Sequence, residues 1–151
     1  MASVKDFYDF LKGVDVDSLT DAIIQENKSE IIDLNADRLS EGKNIDNITV
    51  GHYTYATEQI SKESSPRPLK PKRARKPYNF VWSGDLFSNM FVKHESEKLE
   101  IDSTGTGNSR KRDFVKKNRL LGFTESDEKF VNWNLLPTLF RQKFNALLRK
   151  I

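Results

Sequence analysis

Two histidines, His52 and His94, are the side chains of this chain best suited to acid–base work near neutral pH. Neither stands one helical turn from a second histidine beside a glutamate, the spacing that zinc hydrolases use. His94 is followed by Glu95 and Glu97, but on a strand or turn these side chains diverge. Glu100 and Asp102 would share one face of a strand, and two carboxylates can hold a cation. The commoner use of that pattern is the solvated face of a hairpin. Ser83 precedes Gly84 without the surroundings of a nucleophile elbow. Gly105 and Gly107 share glycine content with a phosphate loop, yet the rest of that pattern and its Lys-Ser/Thr end are missing. With no cysteine, disulfides, Cys-ligated zinc and thiol catalysis are excluded. The expectation is a non-enzymatic protein with no cofactor and no metal.

The more numerous candidates are basic. Residues 64–77, SSPRPLKPKRARKP, hold four prolines, six bases (Arg67, Lys70, Lys72, Arg73, Arg75, Lys76) and no acid. Proline prevents both helix and ladder bonding, so an extended, mobile arm or long loop is expected over 63–78. Such a segment suits phosphate contact, an acidic docking partner or nuclear import, and its bland alternative is a solvated loop. A second cluster, Arg110, Lys111, Arg112, Lys116, Lys117 and Arg119, encloses Phe114 and Val115. Nothing near either cluster frames a groove-reading helix, so reading of specific bases lacks support. The formal charge of +3 conceals an asymmetry. Residues 1–50 carry five Lys/Arg against eleven Asp/Glu, or −6, and the remaining residues carry twenty against eleven, or +9. An acidic head and a basic body can pair with further copies of the chain or face a polyanion.

The elements that must position these groups follow from periodicity. At 151 residues, 36% hydrophobic and 31% charged, one domain with a modest core is expected. No run approaches the roughly 18 apolar residues of a membrane span, and the acidic MASVKDFYDFLKG start does not resemble a signal peptide. Val4, Phe7, Tyr8 and Leu11 mark one stripe of a short N-terminal helix within 1–16. Ser18 and Asp21 have capping-box spacing, and Leu19, Ile23, Ile24, Ile31, Leu34 and Leu39 predict a single helix from about Leu19 to Ser40, ended by Gly42. Residues 43–51 read as a loop. The stretch HYTYATEQISKES suits a short strand or a helical turn equally. The densest aromatic run, Tyr78, Phe80, Trp82, Phe87 and Phe91, contains the turn Ser83-Gly84-Asp85. Alternation from Leu86 to Lys93 then predicts a strand, HESE a turn and KLEIDST a second strand with Leu99 and Ile101 on one face. Thr124 and Asp127 give another cap, followed by a helix through Phe130, Val131 and Trp133 that Pro137 interrupts or restarts. Leu136, Phe140, Phe144, Leu147, Leu148 and Ile151 stripe a terminal helix that packs on its own sheet or on a neighbouring subunit. The predicted class is α+β: N-terminal helices, a small antiparallel sheet built on a hairpin, a long basic loop and C-terminal helices.

The order of these segments resembles small virion-morphogenesis and tail-completion proteins of tailed bacteriophages, especially those of gut Bacteroidetes phages. The resemblance covers about residues 35–150. It runs through a helix ending in RLSEGKNI, then HYTYATEQISK, WSGDLFSNMFV, KLEIDST and LLGFTESDEKFV. Tyr53, Thr57 and, one position late, Lys62 stand where the family has Tyr-Ser-x-x-Thr-x-x-x-Lys. Ser83, Gly84, Asp85 and Leu86 match its Thr-Gly-Asp-Leu turn, with Ser for Thr. Leu120, Leu121, Gly122, Phe123 and Thr124 resemble its Ile-x-Gly-Leu-Thr stretch, with Phe for Leu. The Pro/Arg/Lys loop is an embellishment on that pattern. The resemblance implies a structural part of a virion, made in the host cytoplasm and built as a ring at the neck or tail. Its partners would be copies of itself, neighbouring connector, portal or tail proteins, and packaged DNA without sequence specificity. The alternative left open is a nucleic-acid-binding accessory protein that uses the two basic clusters.

Overall fold

The computed structural model describes residues 4–81, 83–95 and 98–150; Trp82, Glu97 and Ile151, named above, lie outside these. Helix α1 (Val4–Gly13) leads into α2 (Val16–Glu26) and α3 (Lys28–Ser40). The single helix expected from Leu19 is thus longer at its start and broken in its middle. Asp15, rather than Ser18, is the cap: its carboxylate accepts from the Asp17 and Ser18 amides and from the Ser18 hydroxyl. The break falls at Asn27, whose side-chain amide donates to the Ile23 carbonyl at 2.8 Å and competes with the helical ladder. Gly42 closes α3 with φ of +79°, as expected of a glycine stop.

The segment after the loop resolves into a helix, α4 (Tyr55–Glu63), because Thr54 caps it by accepting from the Thr57 amide. A one-turn helix α5 (Asp85–Ser88) precedes the hairpin of β1 (Met90–Glu95) and β2 (Lys98–Ser103). The strand expected from Leu86 therefore begins four residues later. Gly84 places its carbonyl to accept from the Ser88 amide and hydroxyl, and this captures Leu86 to Ser88 in a turn of helix. The two strands are antiparallel, with Val92 opposite Ile101 and Met90 opposite Ser103. Those four side chains are buried, while Lys93, Glu100 and Asp102 face solvent. Pleating explains the split, since alternate residues point to opposite faces.

A short 3-10 turn (Thr104–Thr106) leads to α6 (Ser109–Lys117), then α7 (Glu125–Phe130) and α8 (Leu136–Leu148). Thr124 and Asp127 form the expected capping box at α7. Pro137 stands in the first turn of α8, where the last helix restarts as expected. It lacks the N–H that would reach four residues back, and the ladder before it widens into a π turn at Val131–Leu135. Helix α8 packs on α2: its Phe144 ring meets Phe10 of α1 at 5.9 Å, and Lys143 pairs with Glu26. The α+β architecture expected from the sequence is the one observed.

The core is joined across this framework. Ile24, Ile31, Val92, Ile101, Val131 and Leu135 form one buried cluster, and Leu39, Met90 and Leu120 form a second. Between them α3 inserts two polar residues, Asn35 and Arg38. Asn35 accepts from the Gly122 amide at 2.8 Å and donates to the Leu120 carbonyl, while Arg38 donates to the Leu120 and Gly122 carbonyls. These bonds satisfy a buried loop that has no ladder of its own. Burial lowers the Arg38 pKa, and Asp127, with 3.8 Å between Nη1 and its carboxylate, acts in the opposite direction.

Candidate functional site

The basic loop is irregular, as its prolines require, but it is not a free arm. The Tyr53 amide donates to the Lys76 carbonyl and the Arg75 amide to the Tyr53 carbonyl, so the segment runs beside residues 51–53. The Ala74 amide donates to Glu58 of α4 at 2.7 Å. The Lys62 hydrogen bond, and then that amide, hold the Glu58 pKa below the usual carboxylate value.

Lys72 corrects the sequence reading. Expected to contact a partner, it is 3% exposed. Its ammonium donates to Asn79 Oδ1 and the Val81 carbonyl and lies 5.2 Å from the centre of the Tyr53 ring. Burial, reinforced by the charge of Lys70, lowers its pKa to about 8. Lys72 therefore ties the loop down from inside. Arg67, Lys70, Arg73, Arg75 and Lys76 stay exposed, and Arg75 lies over the Tyr55 ring.

The second cluster is the face of a helix. Asn108 caps α6 by accepting from the Lys111 amide at 3.1 Å. Arg110, Lys111 and Arg112 fill the first turn, Lys116 and Lys117 the last, and all five are exposed. None of the five has an acidic partner within ion-pair distance among the described residues. Three cations at a helix N-terminus add to a macrodipole that is already positive there, an arrangement that favours a nearby anion. Val115 packs inward on the Leu39 cluster, while Phe114 remains 43% exposed beside the cations.

The structural turn joins this helix. Ser83 Oγ bonds the Asp85 carboxylate at 2.5 Å, and Gly84 takes a φ of +87°. Leu69 of the basic loop packs close to this turn, its Cδ1 3.1 Å from where a Cβ on Gly84 would stand. Gly105 approaches from the other side so closely that a Cβ there would lie 1.9 Å from the Asp85 carbonyl oxygen. Between the turn, the 104–107 segment and α6 lies a cavity of about 360 Å³. Its apolar wall includes Phe80, Leu86, Phe114 and Leu120, with Arg110 and Lys111 at the lining.

A line of rings connects the two basic regions. Tyr53 meets Tyr78 at 4.9 Å, Tyr78 meets Phe80 at 6.0 Å and Phe80 meets Phe114 at 6.4 Å. Sequence reading singled out the cations and the turn and missed this line, because its members come from separate segments. Tyr78 and Phe80 were legible as an aromatic run; their meeting with Phe114 depends on tertiary packing.

The other candidates disperse. His94 bonds Asp21 of α2 at 2.5 Å, a pairing invisible in sequence, and His52 is exposed. Glu100 and Asp102 share the outer face of β2, where Asp102 lies 4.0 Å from Lys93. Among the described residues no three His, Asp or Glu gather as a metal site. Nor is any helix there long and apolar enough to cross a membrane. Comparison with family models, curated proteins and solved structures finds no match to this chain.

Proposed function

We propose that this chain is a non-enzymatic structural component of a phage particle, working as an oligomer at the neck or tail. The virion setting rests on the ordered segments described from the sequence. The oligomeric part rests on one structural observation: α1 buries none of its residues in its own chain. Val4, Phe7, Tyr8 and Leu11, on one helical face, are 87%, 44%, 56% and 42% exposed. Apolar area of this kind contributes roughly 25 cal/mol per Å² when it is covered. A second copy is the occupant, since the acidic first fifty residues of one chain complement the basic remainder of the next. A head-to-tail contact of that sort closes into a ring when the rotation permits. The direct test is mass spectrometry of purified particles. The chain should be present at fixed stoichiometry with its neighbours; its absence from particles overturns the reading.

A second reading is favoured by a separate observation, five cations of α6 that have no acidic partner among the described residues and that flank an exposed phenylalanine. Under it the chain binds nucleic acid through its phosphates, without sequence preference. The two readings are compatible if the ring encloses DNA.

A further inference from the structure

We infer that the cavity beneath α6 takes one unstacked base of a single-stranded nucleic acid, with flanking phosphates held by Arg110 and Lys111. This rests on the nucleic-acid reading above and goes beyond it by naming the strand state and the site. A bare cationic surface would serve a duplex equally well. What this surface adds is a hole of about 360 Å³, within the range that a small flat ligand fills, with Phe80 and Phe114 in its wall. Aromatic rings beside cations are the pattern that binds single strands, because every base has a face that stacks.

Three features indicate that the wall is built rather than incidental. Phe80 holds φ of +52°, a left-handed backbone that an aromatic residue adopts at a cost, and so places its ring between Tyr78 and Phe114. Gly107, at φ of +69°, leaves room for the Lys111 side chain, whose Cδ would lie 3.3 Å from a Cβ at that position. Asp85, the carboxylate of the lining, is bonded to Ser83 and leaves Arg110 and Lys111 in excess. Leu69 of the basic loop approaches the lining at Gly84, its Cδ1 3.1 Å from where a Cβ there would stand.

The test is fluorescence anisotropy of the full chain with a labelled oligothymidylate and with a duplex of equal length, at low and raised salt. The single strand should bind more tightly than the duplex. Phe114→Leu, which keeps apolar volume and removes the ring, should weaken single-strand binding about tenfold and leave duplex binding unchanged. Arg110→Gln with Lys111→Gln should weaken both and flatten the salt dependence. Equal affinity for strand and duplex, with Phe114→Leu changing neither, overturns the cavity assignment while the nucleic-acid reading stands. Failure to bind either probe at low salt removes both. A bromouracil oligonucleotide crosslinked to the unmodified chain gives an answer independent of any variant. Crosslinks should fall on peptides containing Phe80 or Phe114, and crosslinks confined to other peptides contradict the site.

Discussion

The Phe80 and Phe114 rings meet at 6.4 Å with their planes tilted by 50°. Phe80 follows the basic loop and Phe114 lies within the basic helix, so one ring contact brings together two cationic segments that are distant in sequence. The loop is pinned by Lys72, Leu69 packs close to the turn at Gly84, and Gly105 lets the segment before α6 approach α5.

Lys72 makes stability depend on pH in a definite direction. Its folded-state pKa, about 8, lies below the ordinary lysine value of 10.5, so the folded chain releases this proton first. Between those values the unfolded chain binds more protons, and the contribution of this group to stability rises with pH. The neutral amine still has N–H donors for Asn79 and the Val81 carbonyl. Urea unfolding of the unmodified chain and of Lys72→Met at pH 7 and pH 9.5 checks this. The unmodified chain should gain roughly 1–2 kcal/mol on the variant over that interval. Parallel pH profiles would contradict the burial of a charged Lys72.

Asn35 is fully buried and bonds both ends of the Leu120–Gly122 turn. Asn35→Ala leaves the Gly122 amide without its acceptor and opens a cavity. The expected loss is about 2–4 kcal/mol, read from the denaturation midpoint. A change below half a kcal/mol would show that the turn is held by other bonds.

Gly105 and Gly13 form a matched pair for testing close approach. A Cβ at Gly105 collides with backbone of α5, whereas one at Gly13 meets nothing within 4 Å. Gly105→Ala should lower stability by roughly 2 kcal/mol or more, because backbone must shift. Gly13→Ala should change it by less than about 1 kcal/mol. Thermal melts of both variants decide the point.

Local chemistry made several parts of this fold readable. The Thr124–Asp127 box, the Gly42 stop and the alternation of Leu99 and Ile101 each depend on neighbours within a few residues. The limits appeared where two local signals competed or where distant segments met. Leu86 to Ser88 alternate as a strand does, but the Gly84 carbonyl accepts from the Phe87 and Ser88 amides and turns them into a helix. The stripe from Leu19 to Leu39 has one helical period, yet Asn27 interrupts it. At the candidate site, the exposed bases were legible as composition, while the burial of Lys72 was not. A lysine in a Pro/Arg/Lys run looks like its neighbours until Asn79 and Val81 fold over it.

The central claim, that the chain is completed by other copies through α1, is tested most directly by light scattering of the full chain across a range of concentrations, beside a Phe7→Glu and Leu11→Glu double variant. Both positions are exposed, so the variant should keep its helical content and its melting behaviour. The account predicts a multimer for the unmodified chain and the 17.5 kDa monomer for the variant. An unmodified chain that stays at the monomer mass at every concentration would contradict it.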